Sequence, residues 1–480
     1  MKYRPSKGFL WGMVALVPLS AALWLGLLPE LEQIEARAVP GDLVFPNTRD
    51  AVDHGGSKTQ VGIRWSLGWL ENSYENLMQW EHNPWERKPG EFGNHFFNLL
   101  TSEDPKDRAK AKELQRLAEA WYKRLLERYP ELAVEMRHVP DDRNGFLKWL
   151  EFCERLDGQQ DEQTKGSASI SFPADLEEYL SKGTWNADAA RGWLAENSQM
   201  LDEIRAIGLM KECSVNGIES DRWSFTSARL AKGAVDALLI EARLAAESGD
   251  VAGAMESVHA AKGLANHLTD VETPSLLAGT VNMLLESTVN KRVLGEILPA
   301  LPTGRADLAA WEQLLDPGSV GPGEFARLMK GEWSIGRTYL LPMLLNTEDP
   351  NLPRDGGDLV DVYSMWFLRN VRSYESAVLS DLPQLSWTGP GSLDHLSRAN
   401  QDAAAALFVG ADSWRTGWER YQSVRAMEAA AFAILQGKPV PKDPVYGESY
   451  RWDPQTRVLS PPDTEAFRGM KIDPVTLPKF

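Results

Sequence analysis

Histidine and cysteine are scarce in this chain, seven and two among 480 residues. A structural zinc site takes four nitrogen or sulfur ligands at short spacings, which so few residues hardly supply. The nearest histidines, His259 and His267, stand eight residues apart in a stretch with helical periodicity. Their rings are therefore about 80° apart around the axis and about 12 Å along it, too far to share an ion. His82 and His95 flank a proline-containing segment and read as solvated or hydrogen-bonding side chains. No structural metal and no cofactor are expected. Cys153 and Cys213 form an even count, which an oxidising compartment would let close into a disulfide; two buried free thiols are the other reading.

Catalytic motifs are lacking too. The chain has no Gly-x-Ser-x-Gly elbow, no glycine-rich phosphate loop and no His-Glu-x-x-His helix, so an enzymatic reading has no anchor residue. Strand signals are few. After Lys2, Arg4 and Lys7 the remainder of the chain carries about −20 of the net −17, a balance that disfavours nucleic acid and anionic lipid surfaces as partners.

What the chain does have begins at its first residues. Gly8–Leu28 is a run of 21 residues without a charged side chain, which at 1.5 Å per residue matches a hydrocarbon core of about 30 Å. Residues 1–8 form a basic segment, and 9–28 are expected to be a transmembrane signal anchor. The run is longer than a secretory signal peptide's apolar core, and the small-x-small sequence Ala36-Arg37-Ala38 lies well past it, so retention is favoured over cleavage. Basic residues before the span and Glu30, Glu32 and Glu35 after it put the N-terminus in the cytoplasm. The main domain then lies outside, which in a two-membrane bacterium means a periplasmic domain on the inner membrane. Pro18 fits a mid-span kink.

Residues 29–60, rich in proline and glycine, read as a linker. Residues 61–436 read as a helical extracytoplasmic domain, either a bundle or a short α-solenoid, so the fold class expected is all-α. Leu114, Leu117, Ala118, Trp121 and Leu125 recur at three-and-four spacing opposite charged residues, which predicts an amphipathic surface helix ended by Pro130. Further helices are predicted near 143–156, 187–207, 224–248, 251–268, 274–298, 322–345, 358–380 and 412–436. Around Gly249-Asp250 a polar stripe of Arg229, Lys232, Asp236, Arg243 and Glu247 precedes an apolar seam of Val251, Ala254, Val258, Ala261, Ala265 and Leu268. This Ala-rich pair resembles a tetratricopeptide helix-turn-helix, which implies stacked hairpins around a shared core.

The last 44 residues, 437–480, carry eight prolines and are expected to form an extended tail docked on the helices through Val445, Tyr446, Tyr450, Trp452, Val458 and Leu459. Within it, Asp443-Pro444-Val445-Tyr446-Gly447-Glu448-Ser449-Tyr450 resembles the Asp-Pro-x-x-Gly-x-x-Tyr segment of type II secretion pseudopilins and of many uncharacterised, membrane-anchored helical proteins of bacteria. The resemblance implies a short turn and strand after a helix. Lys7-Gly8-Phe9 is similar to a prepilin processing site, but Met13 stands where those families have Glu. The chain is therefore grouped with the second set.

Two features remain as candidate sites. In a helix over 322–345, Phe325, Leu328, Glu332, Ile335 and Tyr339 share one face, which puts a carboxylate on an apolar stripe. Glu332 reads as a structural partner of Arg292 or Arg369, or as a general acid or base. Tryptophan is abundant, 18 of 480, and Trp65, Trp69, Trp80 and Trp85 crowd together as a packing cluster or a binding groove. The expected function is a membrane-tethered helical scaffold that binds a protein or peptide. The alternative is a periplasmic protein that binds or hydrolyses cell-envelope glycan, using those tryptophans and Glu332.

Overall fold

The computed structural model describes residues 98–99, 102, 104–158, 168–216, 225–316, 322–342, 364–371 and 411–479, apart from 183, 303, 305, 339–340, 365, 369, 444–445 and 471. The anchor, the linker and the Trp65–Trp85 cluster lie outside these residues. Among the described residues no helix is long and apolar enough to cross a membrane. Of the described residues, 68% are helix and 4% strand, which makes the class all-α.

Two compact units emerge. Among the described residues, one takes those up to Val134 and those from Phe325 to Thr416; the other takes those from Glu135 to Glu324 and from Gly417 on. In the first unit, α1 (Pro105–Arg128) starts where the Asp104 carboxylate accepts from the Lys106 N–H and Pro105 occupies the first turn, where its missing N–H costs nothing. Its apolar face buries Ala111, Leu114, Ala118, Tyr122 and Leu125. The Tyr122 ring lies 4.9 Å from that of Trp333, and its hydroxyl hydrogen-bonds Ser334 at 3.1 Å.

The second unit's helices in chain order are α2 (Gly145–Gly158), α3 (Ala174–Lys182), α4 (Ala187–Glu196), α5 (Ser198–Gly208), α6 (Phe225–Ser248), α7 (Val251–His267), α8 (Leu276–Arg292) and α9 (Leu308–Leu315). Helix α10 (Pro322–Ile335) belongs to the first unit from Phe325 onward, and α11 (Ala411–Leu435) to the second from Gly417 onward. The expected single helix over 187–207 is two, because Asn197 turns its amide back onto the Trp193 carbonyl at 2.8 Å and leaves helical geometry. The expected helix over 274–298 opens into a π-helical turn at Val293–Ile297. Pro299 lacks the N–H and crowds the carbonyl four residues earlier, so the ladder widens just before it.

The α6–α7 hairpin is the centre of this unit. Gly249 takes φ +80° in the turn, a conformation that favours glycine, and the Asp250 carboxylate caps α7 through the Gly253 N–H. The small residues of the seam let helices touch: Ala254, Val258, Ala261 and Ala265 are completely buried. A Cβ on Gly263 would stand 1.8 Å from the Gly208 carbonyl oxygen, so α5 crosses α7 backbone against backbone. The expected polar stripe on α6 is broken at Asp236, which is buried and holds Lys232 at 2.5 Å.

The C-terminal segment forms an antiparallel sheet of β1 (Arg451–Asp453), β2 (Val458–Ser460) and β3 (Val475–Thr476), with the short helix α12 (Glu465–Met470) between the last two. Leu459, Phe467 and Leu477 are buried. Asp443 organises the entry: its carboxylate accepts from the Tyr446 N–H at 2.8 Å, and Gly447 takes φ +69°. The Tyr450 hydroxyl lies 3.2 Å from Asp443 and 3.4 Å from the Ser423 carbonyl on α11.

Candidate functional site

Three clusters of chemical groups assemble in the second unit from residues far apart in sequence. The most accessible is built on α3, the loop that follows it, α6, the end of α8 and the π-turn. Glu296 accepts from Arg243 and from Arg292, each at 3.2 Å, and from the Tyr179 hydroxyl. Arg292 also donates to the Leu180 carbonyl at 3.3 Å. The Arg243 guanidinium lies 4.5 Å from the Trp185 ring centre and 5.2 Å from that of Tyr179, while Arg292 stacks on Tyr179 at 4.8 Å. Tyr179 and Trp185 meet edge to face at 4.8 Å. Burial is the main reason the Tyr179 phenol is pushed up to about 12, so it serves as a proton donor at neutral pH.

Access narrows within this stack. Tyr179 is buried, whereas Trp185 is half-buried and the Glu296 side chain keeps 26% of its surface. The Trp185 and Arg243 side chains each hold a buried N–H, at Nε1 and Nε, that makes no hydrogen bond. Glu296 lies in the π-helical turn Val293–Ile297, four residues after Arg292.

The second cluster is more deeply buried. Glu286 on α8 accepts from Arg425 and Tyr421 on α11. Arg425 donates to the Asp316 carbonyl and Lys262 to the Leu315 carbonyl. Glu428, buried to 3% exposure, accepts from Asn290 at 2.6 Å. Burial pushes the Glu428 carboxyl up to about 8 and holds the Lys262 ammonium below its usual range. These buried groups join α7, α8, α9 and α11 as internal cross-links.

The third cluster pairs a cysteine with a histidine. Cys213 Sγ lies 3.1 Å from His267 Nδ1, and His267 Nε2 donates to the Ile207 carbonyl at 2.7 Å. Donation at Nε2 leaves Nδ1 as an acceptor, so the thiol keeps its proton and gives a neutral hydrogen bond. Burial pushes the thiol up to about 12 and the imidazole down. A nucleophilic cysteine needs the opposite shift. This pair therefore packs, and Gly145 is fitted against the ring with no room for a Cβ.

The residues singled out from sequence fall differently. Cys153 and Cys213 are both buried free thiols, without the disulfide that an even count allowed. His259 is exposed and His267 buried, so they do not share a site. Among the described residues no three His, Cys, Asp or Glu side chains converge as metal ligands. Glu332 is half-buried between Gly331 and Trp333, on a face where Phe325 and Leu328 are buried as their spacing suggested. Arg292, one partner offered for it, is engaged by Glu296; Arg369 lies outside the described residues. Trp65, Trp69, Trp80 and Trp85 do too. Sequence reasoning missed Tyr179, Trp185 and Glu296. Tyr179 and Trp185 fall in the stretch 178–186, which shows no period to mark it, and Glu296 had no signal of its own.

No family model, curated protein or solved structure matches the chain.

Proposed function

We propose that this protein is a membrane-tethered, extracytoplasmic helical scaffold that binds a protein or peptide partner, with the Trp185–Arg243 stack as its point of recognition. The observation that carries the reading is composition at a half-open position. Tryptophan, tyrosine and arginine dominate the energetics of protein interfaces, where a rigid ring and a planar guanidinium lose little entropy on contact. Here they are already held: two arginines, a tyrosine and a glutamate fix one another, so Trp185 is presented in a set orientation. The anchor rests on the uncharged run Gly8–Leu28 and its charge asymmetry, and the grouping with membrane-anchored helical proteins on the Asp443–Tyr450 segment.

Site-specific photocrosslinking tests this. A photoreactive amino acid at exposed Thr184, in the full chain in its native membrane, is expected to give a discrete protein adduct. Trp185→Ala should remove the adduct without altering helical content. Adducts indifferent to Trp185→Ala would overturn the reading. Retention on cell-wall glycan, lost in Trp185→Ala, would replace it with glycan recognition.

A further inference from the structure

The amphipathic helix α1 is a charge anomaly. Its 24 residues hold eight Lys or Arg against four Asp or Glu, a net of +4, in a chain whose net charge is −17. The apolar face is turned inward, and the exposed side carries Lys106, Lys112, Arg116, Lys123, Arg124 and Arg128 against Glu113, Glu119 and Glu127, with Arg116 paired to Glu113 at 2.6 Å. One flank adds apolar surface: Leu117 is 37% exposed, and Trp121, one turn on, is half-buried with the Arg124 guanidinium 5.8 Å from its ring centre.

We propose that this face of α1 rests on anionic phospholipid headgroups. Screening is the first reason. At physiological salt a charge is felt over about 8 Å, so a helix about 36 Å long presents its own sign to a surface in contact, whatever the charge elsewhere on the protein. The acidity of the whole chain therefore does not decide what α1 touches, which narrows the expectation that anionic lipid is repelled. The chemistry of the flank is the second. Guanidiniums pair with phosphate bidentately, and tryptophan beside exposed leucine favours the headgroup level, where one edge is apolar and the other wet. Proximity is the third. This step rests on the anchor of the proposed function, which keeps α1, beginning 77 residues after Leu28, at high effective concentration near the bilayer.

The test uses the full chain with Ala109→Cys, exposed on the outward face of α1, carrying a spin label; Cys153 and Cys213 are buried. The chain is reconstituted in vesicles of phosphatidylcholine, alone or with about 30% phosphatidylglycerol. Accessibility of the label to a water-soluble relaxation agent is expected to fall about threefold in the anionic vesicles and to recover in about 0.5 M salt. The variant Lys112→Glu/Lys123→Glu/Arg124→Glu, checked for unchanged helical content, should show no fall. Equal accessibility in both vesicles overturns the proposal. So does protection that rises with the protein-to-lipid ratio, which would mean that another protein surface covers the face. A chain that fails to float with neutral vesicles refutes the anchor alone. In that case added protein should still bind anionic and not neutral vesicles, and equal binding to both overturns the proposal.

Discussion

Asn290 on α8 donates its side-chain amide to Glu428 on α11 at 2.6 Å, across 138 residues of sequence. Around this bond Arg425 neutralises Glu286, which leaves Glu428 dependent on an amide and on its own proton. The burial that makes the contact tight is also what keeps that proton bound.

The pH dependence of stability should show this. The Glu428 carboxyl is raised from 4.5 to about 8 in the folded protein, so between those values the folded state holds a proton that the unfolded state has released. Its stabilising effect is complete below about 4.5 and is lost as pH rises through about 8. Glu428→Gln keeps the shape and the amide contact and removes the titration. Relative to the parent, this variant should gain on the order of 1–3 kcal/mol between about pH 5 and pH 9. Parallel denaturation curves at the two pH values would contradict it.

Backbone contact between α5 and α7 predicts a strong effect from a single methyl group. Gly263→Ala would place a carbon 1.8 Å from the Gly208 carbonyl, and helix backbones cannot yield as a flexible side chain does. The cost expected is about 3 kcal/mol or more, measured by urea denaturation. Gly192→Ala, where a Cβ meets nothing within 4 Å, should match or exceed parental stability.

Thiol chemistry gives a third expectation. Cys153 and Cys213 are buried, and the Cys213 thiol is pushed up to about 12, so at neutral pH both should resist a thiol reagent in the native protein. Both should react once denaturant is added, without any reductant. Prompt native labelling, or a need for reductant, would show that the cysteines are not the buried free thiols described.

Asp443 supports the last expectation. It is buried and holds both the Tyr446 N–H and the Tyr450 hydroxyl. Asp443→Ala should lower stability by about 1–3 kcal/mol. It should also open the C-terminal segment to trypsin at Arg451 and Arg457 while the helices stay intact. Unchanged cutting in the variant would mean that the sheet stands without this bond.

The sequence by itself determined the helical class and the local punctuation of the chain. Periodicity marked α1, α6, α7 and α11, and Gly249-Asp250 marked the hairpin, because helix faces and tight turns depend on neighbours three or four residues away. Asn197 and Pro299 were legible as breakers only once the bonds they redirect were seen. Tertiary structure alone decided which polar groups meet. Cys213 and His267 are 54 residues apart, Arg243 and Glu296 are 53 apart, and Arg425 and Glu286 are 139 apart. No spacing rule connects such pairs, since their approach is set by how small residues let whole helices pack. The same packing set the surroundings of each group: it buried Glu428 and Cys213 and left Trp185 half-exposed.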